Sequence, residues 1–282
     1  SHQHGCHSRV QWDAPPSPIA RTPFFHYNNM DIIHGGINLH HWEPLCPGGL
    51  SFVCDDALFR PGTDSFLLGS LPGLRPRLRV CDLGSGTGLL GLLLLQRQRE
   101  LSVTGVELLP EAVQLAEQAA ARNGLTDRLT FCRGHLRNIR RLLPAGSFDL
   151  AVCNPPYYPA GSGRLPEAEA LRTARSETGC TLEDVCAAAS YLLRWGGSFC
   201  LVHKPERLAD LCCALRARRL EPKRLRLVCR RAGDAPSLLL LEARRGGRPG
   251  LDIAAPLCLE DGTGRPTAEL DNAYFRTKET NA

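Results

Sequence analysis

Lysine is nearly missing from this sequence. Lys204, Lys223 and Lys278 are the only three, so arginine supplies almost all of the 34 basic side chains set against 29 acidic ones. The resulting excess, +5, is modest, and the placement of the arginines therefore bears on an anionic partner more than their total does. Long apolar runs are absent too. Leu89 to Leu95 and Leu238 to Leu241 are among the longest, far short of the roughly 20 residues a helix needs to cross a bilayer, so no membrane span and no membrane partner are expected. No C-x-x-C pair occurs among the thirteen cysteines, which leaves a structural zinc site without its usual sequence support. The cysteine count is odd and no secretory signal opens the chain, which excludes a disulfide scaffold. A reduced, cytoplasmic protein is expected. Cys81, Cys132, Cys153, Cys200 and Cys229 each sit in an apolar, strand-like stretch, where a free thiol serves as a small hydrophobe. The His2, His4, Cys6, His7 segment is read as no more than an adventitious metal binder.

What is present points to a folded α/β chain. Apolar residues make up 43% and charged residues 22%, enough to build a core and to exclude global disorder. Residues 1–47 show no sustained period and are rich in His, Pro and Asn, the pattern of a poorly ordered or partly non-native extension. The sole methionine, Met30, is the expected natural start. Residues 48–282 are expected to form one domain. There, strands at Leu78 to Leu83, Ser102 to Glu107, Leu129 to Arg133, Phe148 to Cys153 and Ser198 to His203 alternate with helices at Leu89 to Arg97, at Leu182 to Leu193 with Gly196-Gly197 as its expected stop, and at Arg207 to Arg218. Another helix opens on Pro110 and Glu111 and closes at Asn123-Gly124. Such alternation predicts a Rossmann-like, doubly wound, mostly parallel sheet. Arg224 to Cys229 and Ser237 to Ala243 bring the expected count to seven strands. The short Arg230 to Pro236 connection has no room for a crossover helix, so the last strand should run antiparallel.

Two constellations carry chemistry. Asp82-Leu83-Gly84-Ser85-Gly86-Thr87-Gly88 leaves a strand and opens a helix, with glycines that let a ligand approach the backbone. Glu107 ends the next strand about 20 residues on, where a carboxylate can accept hydrogen bonds from both hydroxyls of a ribose. The spacing is G-x-G-x-G rather than the dinucleotide G-x-G-x-x-G, and it resembles the S-adenosylmethionine loop more than an NAD loop. Asn154-Pro155-Pro156-Tyr157 follows strand four, where open α/β sheets place their ligands. An amide or aromatic amine nitrogen is a poor nucleophile because its lone pair is delocalised. The Asn154 side-chain carbonyl and the Pro155 backbone carbonyl can accept its two N–H groups and push it toward an attacking geometry, while the prolines stiffen the turn. Tyr157 offers a ring on which a planar base can stack. A third cluster, Arg216, Arg218, Arg219, Lys223, Arg224, Arg226, Arg230 and Arg231, has Glu221 as its only acid within the stretch and suits a polyanion.

Together these residues resemble class I S-adenosylmethionine-dependent methyltransferases that modify exocyclic or amide nitrogens. The likeness extends through Phe59 to Asp64, Ala174 to Glu177, Val202 to Leu208 and Glu221 to Leu225, and in that combination the chain is similar to the tRNA1(Val) adenine-37 N6-methyltransferase family from about Leu50 to Leu270. The resemblance implies S-adenosylmethionine as cofactor, held by Asp64, Asp82, Gly84, Ser85, Gly86, Thr87, Gly88, Glu107, Leu108, His135, Leu136 and Asn154. It implies Asn154, Pro155, Pro156 and Tyr157 as the catalytic set, no metal in catalysis, and tRNA or another structured RNA as partner. Contacts to RNA are expected from Arg216, Arg218, Arg219, Lys223, Arg224 and Arg226. His135 stands where the family commonly has an acid, and Ser176 where it commonly has His. A protein glutamine amide is the alternative substrate, since the same Asn-Pro-Pro-Tyr arrangement suits that nitrogen.

Overall fold

In the computed structural model of the protein, the residues described are 40–55, 61–155 and 180–276. They begin with a hairpin in which β1 (His40–Pro44) runs antiparallel to β2 (Ser51–Asp55). Its turn and second strand are tied to the domain by polar and apolar contacts alike. Leu50 N–H donates to Gln96 Oε1 at 2.9 Å, Ser51 N–H donates to Asn123 Oδ1 at 2.8 Å, and Asn123 Nδ2 returns a bond to Ser51 O at 2.7 Å. Leu45, Leu50 and Phe52 are buried in the same core as the leucines of the helix that carries Gln96. The expected boundary at residue 47 thus falls within the turn of this hairpin, whose first strand lacks the alternation that would have marked it.

The main sheet follows in α/β order: α1 (Thr63–Ser70), β3 (Arg79–Leu83), α2 (Leu89–Arg97), β4 (Ser102–Glu107), α3 (Pro110–Arg122), β5 (Leu129–Arg133), α4 (Ile139–Leu142), β6 (Phe148–Cys153), α5 (Leu182–Leu192), β7 (Leu193–His203), α6 (Leu208–Ala217), β8 (Leu220–Cys229) and β9 (Pro236–Arg245). Two-residue strands β10 (Asp252–Ile253) and β11 (Leu257–Cys258) and the helix α7 (Ala268–Ala273) close the described chain. The strand order is β10-β8-β9-β7-β6-β3-β4-β5. Strands β5, β4, β3, β6 and β7 are mutually parallel, and β9 is antiparallel to both its neighbours, β7 and β8. The sheet has nine strands where seven were expected, because β10 and β11 each pair with β8 over only two residues, a length too short to carry a period.

Alternation along the strands feeds two apolar layers. Val80, Leu150 and Val152 face α1, α2 and the hairpin, whereas Cys81, Leu83, Ala151 and Cys153 face α4, α5 and α6. Within α2, Leu89, Leu90 and Leu92 to Leu95 are all buried. Full burial of each such side chain contributes about 1.5 to 3 kcal/mol, so this helix, which carries the loop ahead of it, is firmly anchored. Helix α5 ends at Leu192 rather than Leu193, and its stop is not Gly196-Gly197. Leu193 takes extended angles, φ −71° and ψ 138°, because it pairs with Phe148. The glycines instead lie in an irregular start of β7, between the pairs Phe148 with Leu193 and Leu150 with Ser198. No helix among the described residues is long and apolar enough to cross a membrane.

Candidate active site

The carboxyl ends of β3, β4 and β6 meet at one edge of the sheet and bring both motifs together. Gly84, Gly86 and Gly88 have φ of 77°, 54° and 85°, left-handed angles at which a side chain is strained. The turn is pinned from beneath: Gly84 and Ser85 N–H donate to Val106 O at 2.9 and 3.1 Å, and Gly88 N–H to Ser85 O at 2.9 Å. Gly105 on β4 permits this close approach, since a Cβ there would sit 2.6 Å from Ser85 Oγ and 2.6 Å from the Phe131 ring. Glu107 then crosses from β4 to organise two turns. Its Oε2 accepts from Gly86 N–H at 2.8 Å, and its Oε1 accepts from Leu108 and Leu109 N–H at 2.8 and 2.9 Å.

Several groups here are made for a ligand. Asp82 is 2% exposed, and its Oδ2, together with Ser85 Oγ and Thr87 Oγ1, is buried without a hydrogen-bond partner. Orphaned buried oxygens are costly and uncommon. A Cβ at Gly84 or Gly86 would meet open space, so the loop borders a cradle and not a packed wall. Acceptors on Glu107 and Asp82 fit the ribose hydroxyls and cationic end of a nucleoside cofactor, and the exposed loop backbone at the start of α2 suits an anionic group such as its carboxylate.

Desolvation, and after it the Glu107 charge, pushes the Asp82 carboxyl up to about 8. A carboxyl raised in the folded state above its ordinary value near 4 costs stability progressively as pH rises from about 4 to about 8, because folding must hold a proton that the unfolded chain releases. Asp82→Asn is therefore expected to raise the melting temperature of the cofactor-free protein by several degrees at pH 9 and by much less at pH 5. Calorimetry at the two pH values checks this, and an equal shift at both would deny the raised pKa.

Asn154 leaves β6 beside this loop, and its Nδ2 donates to Ser65 Oγ at 2.9 Å. That bond assigns the nitrogen side of the amide to Ser65 and turns carbonyl Oδ1 the other way. Ser65 is 2% exposed, and its own N–H reaches Gly62 O at 3.1 Å and Asp64 Oδ1 at 2.8 Å. Asp64 thus accepts from within the first turn of α1, whose N-cap residue, Gly62, has no side-chain cap. From behind, Tyr274 braces the helix by stacking on Phe66 with centroids 4.2 Å apart and by bonding Thr63 Oγ1 at 3.0 Å. The Cys153 thiol, which burial keeps protonated, donates to Leu83 O at 3.1 Å and joins β6 to β3 just before the two motifs. Ser65 and Tyr274 were not foreseen from the sequence; a serine opening the apolar stretch Ser65 to Leu71, which also holds Ser70, was the available signal for the first.

His135 and Leu136 follow β5 at the same edge. His135 Nδ1 accepts from Arg137 N–H at 3.1 Å, and Leu136 is buried. Gly134 N–H donates to Glu107 O at 2.9 Å, so this turn is registered on the Glu107 backbone. Pro155 is half-buried. Pro156, Tyr157 and Ser176 lie outside the described residues.

The basic stretch is not brought to this edge as a unit. Because β8 runs in the same direction as β7, Arg216, Arg218 and Arg219 precede it at the opposite edge of the sheet, and Arg216 pairs with Glu221 at 3.1 Å. Lys223 Nζ donates to Arg248 O at 3.0 Å. Arg224 bonds Leu71 O at 2.8 Å and meets Glu242 at 3.2 Å, while Arg226 bonds Ala255 O at 2.9 Å and pairs with Glu269 at 2.6 Å. Arg230 and Arg231, just beyond β8, do reach the site edge and share Glu260 at 3.0 and 2.9 Å.

Residues 74–223, just over half of the chain, match the family model described as a methyltransferase domain. A tRNA1(Val) (adenine(37)-N6)-methyltransferase of Tolumonas auensis is 32% identical over 235 residues, which cover 79% of this chain and 92% of that protein. A protein of the same name from Porphyromonas gingivalis is 34% identical over 192 residues, 66% of this chain and 74% of the relative. The chain belongs to the tRNA1(Val) (adenine(37)-N6)-methyltransferase family. A solved structure described as a predicted O-methyltransferase from Agrobacterium tumefaciens shares the fold, with a TM-score of 0.64 at 24% identity over 76% of this chain and 97% of that one.

Proposed function

We propose that the chain transfers a methyl group from S-adenosylmethionine to the exocyclic N6 of an adenine in tRNA. The observation that carries this reading is the Asn154 amide, set by Ser65 next to the glycine loop and Glu107. When bound, S-adenosylmethionine supplies a sulfonium methyl group. Asp82, the backbone from Gly84 to Gly88, Glu107 and Leu108 hold it, with His135 and Leu136 bordering the same edge. Asn154 Oδ1 and the Pro155 carbonyl accept the two N–H groups of the target amine, which restores its lone pair for in-line attack and takes up positive charge as the bond forms. Tyr157 stacks on the adenine. The methylated amine, cationic and therefore acidic, then gives its surplus proton to solvent water.

Phosphate contacts are assigned to the site edge, with Lys204, Arg207, Arg230 and Arg231 as the basic residues that follow β7 and β8 there. Transfer of radiolabel into bulk tRNA and bulk protein tests the reading, followed by nucleoside digestion to find N6-methyladenosine. Label appearing in a protein glutamine and not in tRNA would replace it with the amide reading. Replacing Arg230 and Arg231 by Ala is expected to weaken tRNA binding and flatten its dependence on log salt by roughly one unit per lost phosphate contact. Replacing Arg218 and Arg219 should do less, and the reverse ranking would move the RNA to the other edge.

A further inference from the structure

The hairpin holds the one group of three metal-ligating side chains among the described residues, His41, Glu43 and Cys54, with one ligand atom from each all within 4.8 Å of one another. Three features of local structure bring them together. His41 and Cys54 are directly opposed on β1 and β2. Glu43 stands two residues from His41 on the same strand and so on the same face. On that face Phe52, opposite Glu43, and Cys54 both join the core. The His41 and Glu43 side chains remain 35% and 19% exposed, which leaves a path for an ion.

The donor set selects the ion. A thiolate sulfur, an imidazole nitrogen and a carboxylate oxygen suit zinc, whereas magnesium and calcium want oxygen alone. Zinc bonds of about 2.0 to 2.3 Å at tetrahedral angles place ligand atoms about 3.3 to 3.6 Å apart. His41 Nε2 and Glu43 Oε1 are now 2.8 Å apart, so the trio closes around an ion with shifts of about an ångström. An ordinary His-Glu pair accounts for two of these residues; a thiol converging from the opposite strand makes a third donor at fixed register. We propose that His41, Glu43 and Cys54 form a three-ligand zinc site that clasps β1 to β2, with water in the fourth position. Binding displaces the thiol proton, so affinity rises with pH. The site is formed without a C-x-x-C pair because strand register, rather than sequence spacing, supplies the geometry. It is separate from the methyl-transfer residues.

The test uses the full chain, reduced and stripped of metal, with His2→Gln, His4→Gln, Cys6→Ser and His7→Gln as background to remove the N-terminal donors. Titration with cobalt(II) is expected to give a near-ultraviolet thiolate-to-cobalt band that saturates at stoichiometric metal and is erased by zinc. Cys54→Ser should abolish the band, and His41→Gln and Glu43→Gln should each weaken cobalt binding by at least about tenfold. Zinc should also raise the melting temperature of the background protein and not that of Cys54→Ser. A band of full strength in Cys54→Ser, or no band in the background protein, overturns the proposal. If circular dichroism shows Cys54→Ser unfolded, the half-exposed His41→Gln decides: unchanged cobalt affinity there also overturns it.

Discussion

Asn154→Ala is expected to lower turnover on tRNA by about 10²-fold or more while leaving S-adenosylmethionine affinity nearly unchanged. The expected size follows from preorganised hydrogen-bonding sites, where loss of one such group costs about 2.7 to 4 kcal/mol in the transition state. Asn154 suits that role because its orientation is fixed before substrate arrives. Its amide nitrogen is committed to Ser65 Oγ at 2.9 Å, the Ser65 N–H is held by Gly62 O and Asp64 Oδ1 in the first turn of α1, and α1 is braced by Tyr274. In the proposed reading the cofactor is held by other atoms, chiefly the loop backbone, which Glu107 orders by accepting from Gly86 N–H. Single-turnover rates and calorimetry on the same preparation separate the two effects. Ser65→Ala gives the finer check: it keeps the Asn154 carbonyl but frees its orientation, so its rate should fall between wild type and Asn154→Ala. A variant of Asn154 that loses cofactor affinity and rate in equal measure would make the residue part of the cofactor site instead.

Much of this site was legible because its chemistry is local. The loop's glycines, the carboxylate at the end of the next strand and the Asn-Pro-Pro-Tyr run after strand four declare themselves by spacing, and the parallel strands place the loop, Glu107 and Asn154-Pro155 at one edge. What could not be read depends on contacts far apart in the chain. Ser65 and Asn154 are 89 positions apart. The basic stretch has Glu221 as its only acid in sequence, yet Glu242, Glu260 and Glu269 come from later elements to pair with Arg224, Arg230, Arg231 and Arg226. Charge counted along a strand therefore overstated the field that an RNA would meet. The end of α5 shows the same limit in backbone form: leucine is a good helix former, but pairing of Leu193 with Phe148 outweighs a propensity worth only tenths of a kcal/mol.

Glu107→Ala is expected to weaken S-adenosylmethionine binding by about 10²-fold, toward the upper end of what loss of one hydrogen bond to a charged group gives. One carboxylate accepts three backbone N–H groups, those of Gly86, Leu108 and Leu109, and thereby fixes the glycine loop and the turn into α3 in one arrangement. A hydrogen bond to a charged group contributes about 1.5 to 3 kcal/mol. Removing the acceptor takes away the charge that would meet the ribose hydroxyls, and it also loosens the loop that must be ordered again on binding. Glu107→Gln separates these contributions. Its single carbonyl oxygen can serve Gly86 or the Leu108 and Leu109 pair but not both, and its amide nitrogen opposes whichever N–H it then faces, so its affinity should lie between those of wild type and alanine. The Asp82 carboxyl supplies an independent readout, because the Glu107 charge is the second cause of its raised pKa. With that charge gone, the stability lost between pH 5 and pH 9 should shrink but persist, since burial is the larger cause. Calorimetric titration of both variants, together with melting curves at the two pH values, would measure all of this. Unchanged cofactor affinity in Glu107→Ala would place the ribose elsewhere and leave Glu107 as a loop-ordering residue alone.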